Sequence, residues 1–283
     1  MDLLVSPLWI ISNQHKRNIV IVDATLKKTM NTHAPTSGGV IPDAIYFDLE
    51  KEFSDLTTGL PHSFPRLSSM ASSMAGLGIS SESTVVVYDQ QGAYSAPRVW
   101  WMLKVMGVKN VHLLDGGMSA WQQAGYKVSS HHRQPIATLP IQFAPQPEHI
   151  IDKNFLNENL NSRQAVIIDA RPSARFDGIQ AEPRSGLRSG HIPGSINIPF
   201  ESVLSEGRYK NSDELTALFI SRGISKQQRL IFSCGSGVTA CIVLIAASIA
   251  GFNALYVYDG SWAEWGADDA LPVEKTLLNH ENQ

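Results

Sequence analysis

The sequence predicts an α/β protein made of two tandem copies of one domain, each a parallel sheet flanked by helices on both faces. Three observations carry this. The 283-residue chain aligns with itself without gaps, Val85-Val-Val-Tyr-Asp-Gln90 lying over Arg229-Leu-Ile-Phe-Ser-Cys234 at an offset of 144 residues. Short continuous Val/Ile runs read as strands buried on both sides, the pattern of a parallel sheet. Helical stretches alternate with them, as in a doubly wound layer structure. Repeats of this length are whole domains; solenoid units are several times shorter.

The elements follow in order. In the first copy, strands are expected at 19–23, near 45–47, at 84–88 and at 111–114, with a helix from about 95 to 106. The second copy repeats them at 165–169, 195–198, 229–233 and 254–258, with its helix at 238–250. Ala96 falls on Ala240, Gly107 on Gly251, Asp115-Gly116 on Asp259-Gly260 and Trp121 on Trp265. The expected domains are therefore 1–130 and 148–283. Residues 131–147 form a linker, because that stretch is proline-rich and has no clear periodicity. His131-His132 within it lacks acidic or cysteine company and makes no metal site.

Composition narrows the function. A net charge of -3 without a basic run argues against nucleic acid as a partner. Two cysteines, seven positions apart, give neither a disulfide framework nor a cysteine-rich metal site, which points to a reducing compartment. Met1-Asp-Leu-Leu-Val-Ser-Pro7 has no basic n-region and no apolar core of signal-peptide length. The apolar stretch 240–250 is too short to span a bilayer and stops at Gly251. The expectation is a cytoplasmic protein without a membrane partner.

Cys234 is the candidate nucleophile. An apolar strand ends at this thiol, and Gly235-Ser-Gly-Val-Thr239 leads into an apolar helix. Loops with glycines at Gly235 and Gly237 can turn successive N–H groups inward as an anion-binding nest, and the helix adds its positive end. Such a setting favours the thiolate, which is the reactive form. Cys241 lies inside the apolar helix and reads as core. The same alignment puts Gln90 opposite Cys234, so only the second copy can carry thiol chemistry. A cysteine phosphatase would need an arginine six positions after the cysteine, and position 240 is alanine.

The tandem copies, the Cys234-Gly-Ser-Gly-Val-Thr239 loop, Gly190-His-Ile-Pro-Gly194 and Tyr258-Asp-Gly-Ser-Trp-Ala-Glu-Trp265 together resemble the two-domain rhodanese superfamily. Within it they resemble the branch that takes sulfur from 3-mercaptopyruvate. Thiosulfate-using members carry Arg and Lys after the cysteine, where this chain has Gly235 and Ser236. The resemblance implies a sulfurtransferase that passes sulfur through a Cys234 persulfide, releases pyruvate and uses no metal or organic cofactor. It implies a small-molecule donor and a thiol acceptor such as thioredoxin or a small thiol, or cyanide. Arg175 and Arg184 match the arginines that hold the donor's carboxylate and keto oxygen, and a planar guanidinium suits that group. Gly235, Gly237, Val238 and Thr239 would line the anion site. Ser236 and His62 match a Ser-His-Asp arrangement whose acid position is taken here by Glu50, and the serine either polarises the carbonyl or supplies the proton. Arg171, Arg188 and His191 are assigned to structure. The alternatives are a thiosulfate sulfurtransferase and a non-enzymatic sulfur-relay or scaffold module.

Overall fold

Runs such as Val85-Val86-Val87 and Leu230-Ile231-Phe232 have no polar face, and all six side chains are fully buried. Each such burial contributes about 1.5–3 kcal/mol, which only a sheet covered on both sides can supply along a whole strand. In the computed structural model they are the central strands of two sheets of like order. The structure describes residues 3–16, 18–27, 39–138 and 143–276.

The first sheet runs β1 (Leu4–Val5), β5 (Asn110–Leu114), β4 (Thr84–Tyr88), β2 (Ile19–Asp23), β3 (Ile45–Tyr46), all parallel. Helices α1 (Pro7–Asn13), α2 (Leu67–Gly76), α3 (Ala96–Val105) and α4 (Gly117–Gln123) flank it. The second runs β6 (Ile150–Ile151), β12 (Leu255–Tyr258), β11 (Arg229–Ser233), β7 (Ala165–Asp169), β8 (Ile196–Asn197), again parallel. Its helices are α5 (Lys153–Ser162), α6 (Ser173–Phe176), α7 (Ser212–Ser221), α8 (Ala240–Ile249) and α9 (Ser261–Trp265). The strands predicted at 19–23, 84–88, 165–169 and 229–233 are observed with those bounds. Every residue of α8 from Ala240 to Ala247 is buried, so a helix apolar all round is here a core helix.

The division of the chain differs from the sequence expectation. One compact unit comprises Met1–His149 together with Leu204–Lys210, the other Ile150–Val203 with Asn211–Gln283. The expected linker 131–147, of which 139–142 lie outside the described residues, belongs to the first unit. Its backbone is tied down by Arg133 N–H to Ala44 O (2.8 Å), Thr138 N–H to Ala75 O (2.9 Å) and Gln146 N–H to Val105 O (2.7 Å). His132 Nε2 lies 2.9 Å from the buried Asp23 Oδ2. The backbone contacts among these are ones that no periodicity announces. Gly107 marks one of them: it sits at φ +85°, and a methyl there would meet Ala144 O at 2.4 Å. Gly107→Ala is expected to destabilise the first unit by more than ~1 kcal/mol, read as faster proteolysis within 131–149.

Among the described residues no helix is long and apolar enough to cross a membrane, and no cluster of His, Cys, Asp and Glu could hold a metal ion.

Candidate active site

In an open parallel sheet the functional positions lie beyond the carboxyl ends of the strands. Cys234 directly follows β11, the middle strand of the second sheet, and is 1 % exposed. The loop after it is pinned from one side. Trp262 N–H donates to Cys234 O (2.9 Å) and Ala263 N–H to Gly235 O (3.0 Å). Cys234 N–H donates to the Ser261 hydroxyl (3.2 Å), which itself donates to Tyr258 O (2.9 Å). With these groups fixed, the N–H groups of Gly235 through Thr239 donate to no acceptor among the described residues. They form the open nest at the head of α8. Ser261 is fully buried at φ +50° and was not singled out from sequence; the Gly-Ser-Trp turn after β12 was its only signal.

The two glycines serve different ends. Gly237 has φ +76°, as a nest requires, whereas Gly235 has an ordinary backbone, contrary to expectation. Gly235 is there for space: a methyl on it would lie 3.1 Å from Arg175 Nη2 and 3.9 Å from Arg184 Nη1. Both predicted arginines thus face the cysteine loop. Val238 and Ser236 are buried in that loop, and Thr239 is half-buried at the helix cap. Cys241 is fully buried with its thiol against Gly237 O (3.4 Å), in keeping with a packing role.

A buried ionic network backs the arginines. Arg171, 1 % exposed, donates to both oxygens of Asp169, to Glu182 Oε1 (2.8 Å) and to Gly190 O (2.8 Å), and its guanidinium lies 4.3 Å from the Trp262 ring centroid. Burial opposes the Arg171 charge; Asp169 and then Glu182 more than offset it. Glu182, whose side chain is 1 % exposed, accepts from Arg175 Nε and Nη2. It was missed in the sequence, where an acid before Pro183 carries no pattern. Arg188 donates to the carbonyls of Gly266, Leu271, Trp265 and Asp268, and His191 is stacked on Phe176.

The strand register corrects the sequence alignment. Asp23 pairs with Tyr88 and Asp169 with Ser233. Ala24 N–H donates to Tyr88 O as Ala170 N–H does to Ser233 O, and Met118 N–H to Asp89 O as Trp262 N–H does to Cys234 O. The residue in the place of Cys234 is therefore Asp89, and Gln90 lies one position on, in a loop longer by one residue. Ungapped alignment slid because apolar strands do not pin their own register. Asp89 is fully buried, and its carboxylate accepts the N–H groups of Gln91, Tyr94, Ser95 and Ala96 at 2.8–2.9 Å. Burial pushes this carboxyl up, but both oxygens face only N–H donors, the arrangement of an ionised group. The first copy fills its nest with its own anion. The hairpin of β9 (Leu204–Ser205) and β10 (Arg208–Tyr209) covers this loop, since a methyl on Gly92 would meet Gly207 O at 2.7 Å.

His62 and Glu50 belong to the first unit, Cys234 and Ser236 to the second. His62 sits at φ +58°, uncommon for a non-glycine residue, and its carbonyl accepts from the fully buried Arg98 Nη2 (2.8 Å). Glu50 lies in the turn after β3.

A thiol at the end of a central strand, followed by a loop whose N–H groups donate to no acceptor among the described residues and flanked by two arginines, is an arrangement that can hold an anionic substrate against a cysteine. The rhodanese-like domain family matches residues 6–124 and 152–268, and the chain belongs to that family. It is 40 % identical over 271 residues to the 3-mercaptopyruvate sulfurtransferase of Escherichia coli K12, covering 94 % of this chain and 95 % of the relative. It is 41 % identical over 230 residues to the human 3-mercaptopyruvate sulfurtransferase, covering 80 % and 76 %. The crystal structure of SseA from Escherichia coli, described with the rhodanese fold and mechanism of 3-mercaptopyruvate sulfotransferases, superposes with a TM-score of 0.79 at 35 % identity. That superposition covers 93 % of this chain and 99 % of SseA.

Proposed function

We propose that the protein is a 3-mercaptopyruvate sulfurtransferase working through a persulfide on Cys234. The observation that carries this reading is the open nest of Gly235 to Thr239 around Cys234, with the Arg175 and Arg184 guanidinium groups against Gly235. The Cys234 thiolate attacks the donor's sulfur, the carbon–sulfur bond breaks, and its electron pair leaves as the enolate of pyruvate, which takes up a proton. The sulfur stays as Cys234–S–SH. A thiol acceptor then attacks the outer sulfur, carries it off as its own persulfide and restores Cys234. Asp89 supports this role for the nest, because its carboxylate oxygens lie as many bonds from Cα as the outer sulfur of a cysteine persulfide. The N–H groups of Val238, Thr239 and Ala240 correspond to those of Tyr94, Ser95 and Ala96, which hold the Asp89 carboxylate.

Arg175 and Arg184 hold the donor's carboxylate and keto oxygen, and fixing the donor against the thiolate lowers the barrier entropically as well as electrostatically. Ser236 either polarises the carbonyl or supplies the proton. The chemistry needs neither metal nor organic cofactor. Thioredoxin or a small thiol serves as acceptor, cyanide replaces it in an assay, and the reducing cytoplasm suits a free Cys234.

The test is a comparison of donors. The reading expects kcat/KM with 3-mercaptopyruvate to exceed that with thiosulfate, and a clear thiosulfate preference would sink it. Arg184→Ala is expected to lower kcat/KM for 3-mercaptopyruvate by roughly 10- to 100-fold, the worth of a charge-assisted hydrogen bond. Thiosulfate use should fall far less; equal losses would remove Arg184 as the carboxylate anchor.

A further inference from the structure

Arg175 lies in α6, and the loop 177–190 that follows carries Glu182 and Arg184 and contains neither helix nor strand. A segment of that length without regular structure is placed by whatever holds its two ends. Here one short stretch beyond α9, Val273–Thr276, holds both. At the far end His191 N–H donates to Glu274 O (2.8 Å) and Glu274 N–H to His191 O (2.9 Å), an antiparallel bridge. At the near end the Thr276 hydroxyl donates to Asp177 Oδ1 (2.6 Å). Between them the packing leaves no room for side chains: a methyl on Gly190 (φ +124°) would collide with Glu274 O, and one on Gly178 (φ +78°) would meet the Lys275 stem at 3.1 Å. The two ends also meet each other, since His191 Nδ1 lies 2.7 Å from Phe176 O. From there contacts lead to the cysteine loop. Gly190 O accepts from Arg171 Nη2 (2.8 Å), Arg171 Nη1 donates to Glu182 (2.8 Å), and Glu182 accepts from Arg175, whose Nη2 lies against Gly235.

We infer that Val273–Thr276 is a positioning element for the sulfur donor, a clasp that closes the loop 177–190 onto α6 and so fixes the Arg175 and Arg184 guanidinium groups beside Cys234. The inference rests on those arginines binding the donor. Released from the clasp, the loop regains conformations in which the guanidinium groups stand away from the thiol, and a misplacement of about 1 Å costs up to 100-fold in rate with the reacting groups untouched.

Glu274→Pro removes the N–H that bonds His191 O and leaves every residue near Cys234 in place. Pyruvate release is followed with 3-mercaptopyruvate as donor and 2-mercaptoethanol, which has no carboxylate, as acceptor. In a ping-pong reaction kcat/KM for each substrate reports its own half-reaction. The value for the donor should fall roughly 10- to 100-fold, while that for the acceptor stays near the parent's. A merely structural role would lower both alike, by loss of active protein. Equal losses overturn the inference, as does an unchanged donor value in a folded variant, judged by its thermal melt. In an Arg175→Ala background the same substitution should cost far less, because the arginine it positions is gone; full additivity overturns the coupling. Should Glu274→Pro not fold, Lys275→Ala/Thr276→Val, which keeps the bridge, decides. A fall of about threefold confined to the donor, the worth of one hydrogen bond, supports the clasp, and no fall overturns it. Failure of the mercaptopyruvate reading shows separately, as no pyruvate released by the parent.

Discussion

Cys234→Ser is expected to abolish sulfur transfer, lowering turnover by on the order of 10⁴-fold or more, the scale seen when a covalent nucleophile is removed. The substitution exchanges one buried atom, at a residue 1 % exposed, so the fold and the donor's arginines stay in place. A hydroxyl is a far weaker nucleophile than a thiolate and cannot hold the transferred sulfur. The decisive measurement is intact mass after exposure to 3-mercaptopyruvate: the parent gains one sulfur atom and the serine variant none. Cys241 serves as an internal control, because it remains in the variant, fully buried in α8. An adduct surviving in Cys234→Ser would move the chemistry elsewhere. No adduct in the parent would favour a sulfur-relay or scaffold module.

Asp89→Asn is expected to cost the first unit about 2–4 kcal/mol. The Asp89 carboxylate is fully buried and accepts four backbone N–H groups, one at Oδ1 and three at Oδ2. An asparagine can turn its single oxygen to the three donors, but its amino group then faces the Gln91 N–H. That leaves two donors opposed in a site without water access. For a unit of this size the loss corresponds to a fall in melting temperature of roughly 5–15 °C, read by calorimetry. Hydrogen exchange at α3 and β4 should localise it. An unchanged melt would show that the Asp89 carboxylate is not what holds this loop.

The strands, the buried helix α8 and the thiol at the end of β11 were legible because each rests on a local pattern. Continuous apolar runs report burial on two faces, and a cysteine beside Gly-x-Gly reports a nest. The partners of the site were not legible in the same way. Glu182 and Ser261 act through contacts with residues far along the chain, and no periodicity marks a buried acid or a serine in a turn. The expected linker is tied to the first unit for a related reason: its backbone N–H groups bond to the carbonyls of Ala44, Ala75 and Val105, and proline content says nothing about where backbone docks.

By itself the sequence determined that there are two copies, that only one retains a thiol, and that the chain resembles the rhodanese family. These follow from the kinds of residues present and their order. Which residue of the first copy replaces Cys234 was decided only by tertiary structure, because apolar strands can slide by one position in an alignment but not in a hydrogen-bonded sheet. The paired strands put Asp89 there, not Gln90, and so show one loop whose N–H groups are taken by its own carboxylate and another whose N–H groups donate to no acceptor among the described residues.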